Sequence, residues 1–420
     1  MAKGPYRVLC LAGGAPNLTL MSGALHRLHQ EGLHENNKGP NIITMAGAGA
    51  VIGLHYLAPK GLKSNDPFSP EALENTVNFG VSDAIYEMLP INYKVFTKSG
   101  PSADIFNEFW LSLPEVREAM HQSGTNDDEA LLSDGLLLAG AMMCPTDVDF
   151  FSQGICGHAK FLEDLIDFEA VKRIDPNDLE IEINAFCIED QKLVDFTNYE
   201  RDENGTPKKD GERYIPKAIT VDHLRAALAF PFLHAPYKIG DKHYFEGAAM
   251  QCLNDYTKED ATNIDWFIVL DPLRSNMIGM PSNLWEAFAL SIIMPTAGLT
   301  ELGRDILEFK NSIQELLVGV VDVVGKPKFD ALVGKLQVSR EHKPFSPLDL
   351  MLAMAARDLA EQSDQKKGKL YFSTFEISKE KLPQAWGWSR SSMKGLFEVG
   401  RTAGTNIAEQ MRKNGHLRTR

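Results

Sequence analysis

Three short segments of this 420-residue chain hold the residues that could do chemistry. The first, 11–17, has paired glycines after an apolar run, and the second, 42–53, is an apolar run that ends in a turn of small residues. The third, 245–249, holds an acidic residue beside a glycine. Glycine-rich turns leave backbone amides that can stabilise an anion, and a carboxylate can transfer a proton. These residue types indicate an anion-stabilising site that is served by one carboxylate.

The second segment has the pattern of a nucleophile elbow that lacks its nucleophile. In hydrolases with the sequence G-x-S-x-G, a strand turns sharply into a helix and the serine stands at the apex. Here Gly47 stands at the apex and Met45 takes the place of the first glycine. No serine of the chain lies in a complete G-x-S-x-G sequence. Ordinary acyl-serine chemistry is therefore not expected.

Alternating strands and helices must bring these segments to one edge of a sheet. Strands are predicted over Tyr6–Ala12 and Asn41–Ala46, and helices over Leu18–Glu31 and Ala50–Leu57. This alternation predicts βαβ units and a mainly parallel sheet. Functional loops of such sheets gather at the carboxyl ends of the strands.

The rest of the chain predicts a helical insertion over about 69–167, further strands, and then long helices beyond Pro272. The further predicted helices are Pro70–Phe79, Ala103–Leu111, Glu129–Ala141, Val221–Ala229, Leu284–Ile293, Leu299–Val324, Leu348–Leu359 and Met393–Met411. The further predicted strands are Leu179–Ile188, Lys192–Tyr199, a hairpin over Ile239–Phe245, Trp266–Asp271 and Leu370–Phe375. The polar run 201–212 is predicted to be a solvated turn. We expect an α/β domain over 1–275 and a mostly helical extension over 276–420.

Composition and charge exclude several function classes. Hydrophobic residues make up 44% of the chain and the net charge is -14, which is unfavourable for binding nucleic acid. Five cysteines without a C-x-x-C pair favour free thiols in a reducing compartment. Because there is neither a signal-peptide pattern nor a long apolar run, we expect a cytoplasmic protein. No residues have metal-ligand spacing, so no metal and no cofactor are predicted.

In their order and spacing, the three segments resemble the patatin-like phospholipase family of lipid acyl hydrolases, over roughly residues 6–275. The resemblance implies a three-layer α/β fold with a mainly parallel central sheet, to which this chain adds the helical C-terminal extension. It implies that Gly47 stands where the family has its serine, and that Glu246 stands where the family has its catalytic aspartate. The oxyanion or substrate-binding residues are then Gly13, Gly14, Ala15, Asn17, Ala48 and Gly49.

The two departures from the family pattern could compensate for each other. Loss of the serine side chain and the extra methylene of Glu246 leave a similar total volume. The longer carboxylate could reach the space of the serine oxygen and act as a general base, with backbone amides as the oxyanion site. Burial of Glu246 among Phe230, Phe232 and Phe245 would raise its pKa. His234 could assist Glu246.

Three functions stay open at this point. The first is a serine-independent acyl hydrolase or transferase that acts on a lipid or acyl substrate. The second is a catalytically inactive member that binds a lipid or a partner protein. The third is a nucleotide-dependent enzyme that uses the glycines of Gly47–Gly53. The apolar stripe of the predicted helix Leu299–Val324 adds two partner hypotheses, a peripheral membrane contact and a homo-oligomer.

Overall fold

A computed structural model places most of the chain. It describes residues 5–14, 17–35, 39–61, 68–121, 127–202, 206–211, 213–251, 264–274, 278–281, 287, 290–291, 293–306, 308, 369–373, 375, 377 and 387–418. The predicted helix Leu348–Leu359, most of Leu284–Ile293 and the part of Leu299–Val324 beyond residue 308 lie outside these residues.

The described strands and helices alternate in the first part of the chain, as the sequence predicts. The strands are β1 Tyr6–Leu11, β2 Ile42–Met45, β3 Thr97–Lys98, β4 Gly154–Gly157, β5 Glu180–Cys187, β6 Lys192–Thr197, β7 Lys209–Asp210, β8 Arg213–Tyr214, β9 Phe232–His234, β10 Tyr237–Ile239, β11 Lys242–Glu246, β12 Ile264–Leu270 and β13 Lys369–Phe372. The helices are α1 Leu18–Gln30, α2 Ala48–Leu57, α3 Pro70–Asn75, α4 Asp83–Met88, α5 Pro101–Ser112, α6 Pro114–His121, α7 Asp127–Met143, α8 Lys160–Asp164, α9 Phe168–Lys172, α10 Val221–Ala227 and α11 Arg390–Lys413. Residues 293–306 are also helical, and 3-10 turns cover Thr76–Phe79 and Gly247–Ala249.

The central sheet is mixed, with a parallel core. Its order is β10-β11-β5-β2-β1-β12-β13, and β6 also pairs with β5. The pairs β5/β2, β2/β1, β1/β12 and β12/β13 are parallel, whereas β6, β10 and β11 pair antiparallel. The chain leaves β1 toward β2 on one side and returns to β12 on the other. Such a point of reversal is where open α/β sheets bind ligands, outside the strand carboxyl ends.

One face of the sheet packs on α1, α2 and α11. Leu11, Met45 and Ile183 lie in register on neighbouring strands and are fully buried in the largest apolar cluster. This three-layer arrangement of helices and a mainly parallel sheet confirms the predicted fold class. Strand β13 and helix α11 come from beyond residue 275, yet they pair with β12 and pack on α1. The division of the chain at residue 275 stays a prediction.

Two small sheets and one continuous helix differ from the sequence expectation. A three-stranded sheet joins β3, β4 and β9, and β7, within the polar run that we predicted to be a turn, pairs with β8 just after it. The strands of the three-stranded sheet depend on distant partners, which a local pattern cannot show. The helical residues 293–306 run through the Pro295–Gly298 break of the sequence prediction, because Ile293 and Ala297 pack against Leu273. Within the described part of the chain, no helix has the length and hydropathy that a membrane crossing requires.

Helices α1 and α11 approach closely through glycines. A Cβ on Gly23 would overlap the carbonyl oxygen of Phe397, and a Cβ on Gly400 would overlap that of Leu20. Gly404 makes the same kind of approach, because a Cβ there would lie 2.5 Å from the carbonyl oxygen of Ala24. The glycines therefore set the distance at which α11 covers α1.

This close approach is testable with two glycines of the same helix. Gly400→Ala should lower the free energy of unfolding by about 1–3 kcal/mol, because the added methyl group overlaps the backbone of α1. Gly395→Ala is the control, because nothing among the described residues lies within 4 Å of a Cβ built there. It should instead raise the free energy of unfolding by up to about 1 kcal/mol through helix propensity. Urea unfolding measures both effects, and equal effects at the two positions would contradict the close packing.

Candidate active site

Gly47 forms a sharp turn between β2 and α2. Its backbone has φ 46° and ψ -123°, in a region that residues with a side chain rarely adopt. The turn is fixed on both sides, because the amide of Ala46 donates to the carbonyl of Leu11 at 3.0 Å and the amide of Gly49 donates to that of Ala46 at 2.8 Å. The geometry is that of a strand–elbow–helix motif with its apex at Gly47.

The carboxyl group of Glu246 occupies the space above Gly47. A Cβ built on Gly47 would overlap the Oε1 atom of Glu246 and lie 2.9 Å from its Cδ atom. Glu246 ends β11, where it pairs with Ala185 of β5, and its amide donates to the carbonyl of Ala229 at 2.9 Å. A serine side chain at position 47 would therefore overlap this carboxyl group in its observed position, and the end of the Glu246 side chain would have to move.

Burial raises the pKa of Glu246 to about 8. Among the described residues, its carboxyl group has no hydrogen-bond partner that would favour the ionised form. The expected aromatic surroundings are only partly present, because Phe232 is 60% exposed, with φ 74°. Phe245 precedes Glu246 in β11, so its side chain points to the opposite face of the sheet. The turn around Gly47, rather than Phe232 or Phe245, covers the carboxyl group.

The glycine loop after β1 lies against the same turn. A Cβ on Gly13 would lie 2.5 Å from the Cβ of Ala248, which itself lies 3.3 Å from a Cβ built on Gly47. The amides of Gly13, Gly14, Gly47 and Ala48 donate to no acceptor among the described residues. Two neighbouring loops thus each have two amides without an acceptor in the part of the chain that the structure describes.

Other predicted site residues have different surroundings. Ala15 lies outside the described residues. Gly49 donates its amide within the turn, and a Cβ on it would lie 2.7 Å from the carbonyl oxygen of Ala12. It therefore packs α2 on β1 and offers no amide to a ligand. Asn17 is fully buried at the start of α1, and its Nδ2 atom donates to the carbonyl of Pro272 at 3.5 Å.

His234 belongs to the small sheet, on β9. Its ring stacks on that of His158 with centroids 6.0 Å apart. Burial, together with the neighbouring His158, lowers the pKa of His234 to about 4. None of the contacts in the described part of the chain joins His234 to Glu246. The structure therefore does not bring these two side chains together, and assistance by His234 stays a prediction.

Two buried polar residues near the site were not singled out by the sequence. Asp271 follows β12 directly and is 1% exposed, and burial raises its pKa to about 7. Its position after an apolar strand was a usable signal. Asn184 lies within β5 and donates from Nδ2 to the carbonyl of Gln251 at 3.0 Å, which holds the turn after Glu246. Nothing in its local sequence marks this role. No cluster of His, Cys, Asp and Glu that could hold a metal ion occurs in the part of the chain that the structure describes.

Similarity to known proteins identifies a family for this chain. The family model "Patatin-like phospholipase" matches residues 9–252. No curated protein sequence matches the chain. Among solved structures, VipD from Legionella pneumophila is similar with 10% identity and a TM-score of 0.32, over 97% of this chain and 67% of that chain. In the heterodimeric ExoU-SpcU complex of Pseudomonas aeruginosa, the matching chain has 13% identity and a TM-score of 0.25, over 98% of this chain and 78% of that chain. At these TM-scores, the assignment of a family rests on the family model.

The overlap at Gly47 predicts how a serine could be restored. Gly47→Ser alone should not react with a fluorophosphonate probe, because the carboxyl group of Glu246 occupies the place of the new side chain. Gly47→Ser combined with Glu246→Asp should react, because the acid becomes one methylene shorter. The reaction rate with the probe, followed by protein mass spectrometry, measures the difference.

A second double variant distinguishes the effect of the side-chain length at position 246 from the effect of its charge. Gly47→Ser with Glu246→Gln keeps the length of the side chain and removes its charge, so it should stay unreactive. Equal labelling of Gly47→Ser and the Asp double variant would show that Glu246 does not block this position.

Burial of Glu246 also predicts how stability depends on pH. The carboxyl loses its proton near pH 4.5 in the unfolded chain but near pH 8 in the folded protein. Folding therefore becomes less favourable as the pH rises from about 4.5 to 8, and the cost is constant above that. Glu246→Gln removes this cost, so its stability relative to wild type should rise over that range by on the order of 3 kcal/mol.

Urea unfolding at pH 5 and pH 9 measures this change. Glu189→Gln is the control, because Glu189 is an exposed acid beside the same hairpin and its partner His243 keeps its pKa low. That variant should show no such gain. Parallel pH dependences of wild type and Glu246→Gln would show that Glu246 is not held in a desolvated position.

Proposed function

Because this chain belongs to the patatin-like phospholipase family, we propose that it acts on a lipid or acyl ester without a serine nucleophile. Glu246 is the general base, and the amides of the Gly13–Gly14 and Gly47–Ala48 turns are the oxyanion site. The observation that carries the proposal is the position of the Glu246 carboxyl group in the space of the side chain that Gly47 lacks. A proton acceptor thus lies beside the available amides.

The proposed reaction is a hydrolysis in one attack. Ionised Glu246 takes a proton from water while the water oxygen adds to the ester carbonyl carbon. The carbonyl oxygen becomes an oxyanion, which the amides of the two glycine turns stabilise. The bond to the leaving oxygen then breaks, and protonated Glu246 returns its proton to that oxygen. Carboxylic acid and alcohol are released, and Glu246 is again ionised. A second alcohol in place of water gives acyl transfer.

The pKa of Glu246 fits this role. A general base works best when its pKa is near the working pH, since it then is basic and partly ionised. Burial moves the pKa of Glu246 to about 8, which is well above the ordinary glutamate value of 4.5. Ionised Glu246 would therefore be a stronger base than an exposed glutamate.

A catalytically inactive, lipid-binding member is the second candidate. It is favoured by the absence of a hydroxyl or thiol at the apex of the elbow. The nucleotide hypothesis has less support, because the carboxyl group of Glu246 lies at the start of α2, where a pyrophosphate would have to bind. Gly49 and Gly53 are used for packing, since a Cβ on either would overlap Leu11 or Met45.

Hydrolysis of p-nitrophenyl and phospholipid esters tests the proposal. Wild type should turn over at least one ester, with kcat/KM rising about tenfold per pH unit up to about pH 8, as the base ionises. Glu246→Gln should lower kcat/KM by at least about 100-fold. Glu189→Gln is the matched control and should leave kcat/KM unchanged.

The outcomes separate the two candidates. Turnover that survives Glu246→Gln would exclude Glu246 as the base. Absence of turnover with every ester, together with an acyl chain that co-purifies in native mass spectrometry, would favour the inactive, lipid-binding member.

A further inference from the structure

Three unpaired polar atoms lie on the other side of the glycine loop from Glu246. Resting on the proposed function, we infer that Asn17, Asp271 and Arg274 form a headgroup subsite for a lipid that carries both a primary ammonium and a phosphate. Asn17 and Asp271 would accept hydrogen bonds from the ammonium, and Arg274 would donate to the phosphate.

The three residues are held together beside the loop. The amide of Asp271 donates to Oγ of Ser373 at 3.0 Å, and Oδ1 of Asp271 accepts from the amide of Leu273 at 3.0 Å. Asn17 reaches the same turn through the carbonyl of Pro272. Arg274 donates from Nη2 to the carbonyl of Ser373. These contacts thus fix the turn that carries Asp271 and Arg274, and they join Asn17 to it.

In the part of the chain that the structure describes, each of the three side chains keeps one buried atom without a partner. These atoms are Oδ1 of Asn17, Oδ2 of Asp271 and Nε of Arg274. Asn17 is 0% exposed and Asp271 is 1% exposed. A buried polar atom without a hydrogen bond is costly, and most such atoms in proteins are paired. Around this turn, two acceptors and one donor therefore lack partners. They are complementary to a ligand that has both donors and an acceptor.

The charges specify which ligand fits. Asp271 and Arg274 influence each other electrostatically, yet they do not form an ion pair in the described part of the chain. Burial lowers the pKa of Arg274. Arg304, which is paired with Glu308 at 2.7 Å, lies near enough to lower that pKa further. Glu301 also acts on both residues, so the surrounding charges are of both signs. The unpaired atoms of Asp271 and Arg274 themselves favour a zwitterion whose cation contacts Asp271 and whose anion contacts Arg274. A phosphoethanolamine group has this pattern, and its ammonium has the N–H donors that a choline headgroup lacks.

A single lipid molecule can span the distance between this subsite and the proposed reaction centre. Gly14 lies against the turn, since a Cβ on it would be 2.7 Å from Cγ of Pro272, and Gly13 lies against Ala248 beside Gly47. Strand β12 is two positions from β2, which is about 10 Å. This is the scale of glycerophosphoethanolamine between its ester carbonyl and its ammonium. Arg274 is the one of the three that is partly exposed.

Calorimetric titration with short-chain lipids tests the subsite. The parent protein is Glu246→Gln, in which binding is measured without the proposed turnover. The probes are dihexanoyl phosphatidylethanolamine and dihexanoyl phosphatidylcholine, which share the phosphate and both acyl chains. We expect the ethanolamine lipid to bind at least 10-fold more tightly. Adding Asp271→Asn to the parent should reduce this preference to less than about 2-fold. Adding Arg274→Gln instead should weaken the binding of both lipids to the same extent.

Controls separate the subsite from folding and from the proposed reaction. Asp265→Asn, at the other end of β12 and 3.5 Å from His416, should keep the preference. Thermal melting shows whether each variant is folded. Equal affinity of the two lipids for a folded parent, or a preference that survives Asp271→Asn, would overturn the inference. O-phosphoethanolamine that binds as tightly as the lipid would overturn the lipid assignment. A headgroup preference without any ester turnover by wild type would support the subsite while contradicting the proposed reaction.

Discussion

The site depends on one steric relation, the contact of the Glu246 carboxyl group with a residue that has no side chain. Gly47 meets two demands at once. Its φ of 46° is unfavourable for any residue with a Cβ, and a Cβ there would also overlap Oε1 of Glu246. The two departures from the family pattern, glycine for serine and glutamate for aspartate, are therefore one physical change. A side chain could be placed at position 47 only if the Glu246 carboxyl group moved or became shorter.

The elements around this contact hold an ionisable group, the carboxyl of Glu246, away from water, which would otherwise be its best hydrogen-bond partner. Strand β11 fixes Glu246 in register with Ala185, and Asn184 on the neighbouring strand holds the turn that follows. As a result, burial raises the pKa of this carboxyl group to about 8. Stability is lost wherever such a group ionises, so the fold carries a cost at neutral and alkaline pH. Desolvated acids of this kind are common where proteins transfer protons.

Much of this arrangement could be predicted from the sequence, because it depends on short patterns. The glycines after Leu11 and Met45 mark the ends of two adjacent parallel strands, and parallel strands bring their loops to one edge. The order of the three segments then indicated that Glu246 lies near Gly47. The surroundings of Glu246 were not predictable, because the positive φ of Phe232 and its pairing with Gly154 turn that ring toward solvent. The unpaired atoms of Asn17 and Asp271 depend on long-range contacts, since Asn17 bonds to Pro272, 255 positions away, and Asp271 bonds to Ser373, 102 positions away.

The polar groups on the two sides of the glycine loop favour binding of a substrate that reacts over binding of an acyl chain that does not. An acyl chain alone is satisfied by apolar contacts, and it needs neither a carboxyl group nor free amides. This edge of the sheet instead has a desolvated acid at Gly47, amides between the two sides, and a second buried acid at Asp271. Each of these lowers stability in the unliganded protein, since each leaves a polar group without a partner. In the proposed function, a molecule that has an ester near Gly47 and a polar group near Asp271 would offset these costs together. Because β2 and β12 are two strand positions apart, such a substrate would have to place these two groups about 10 Å apart.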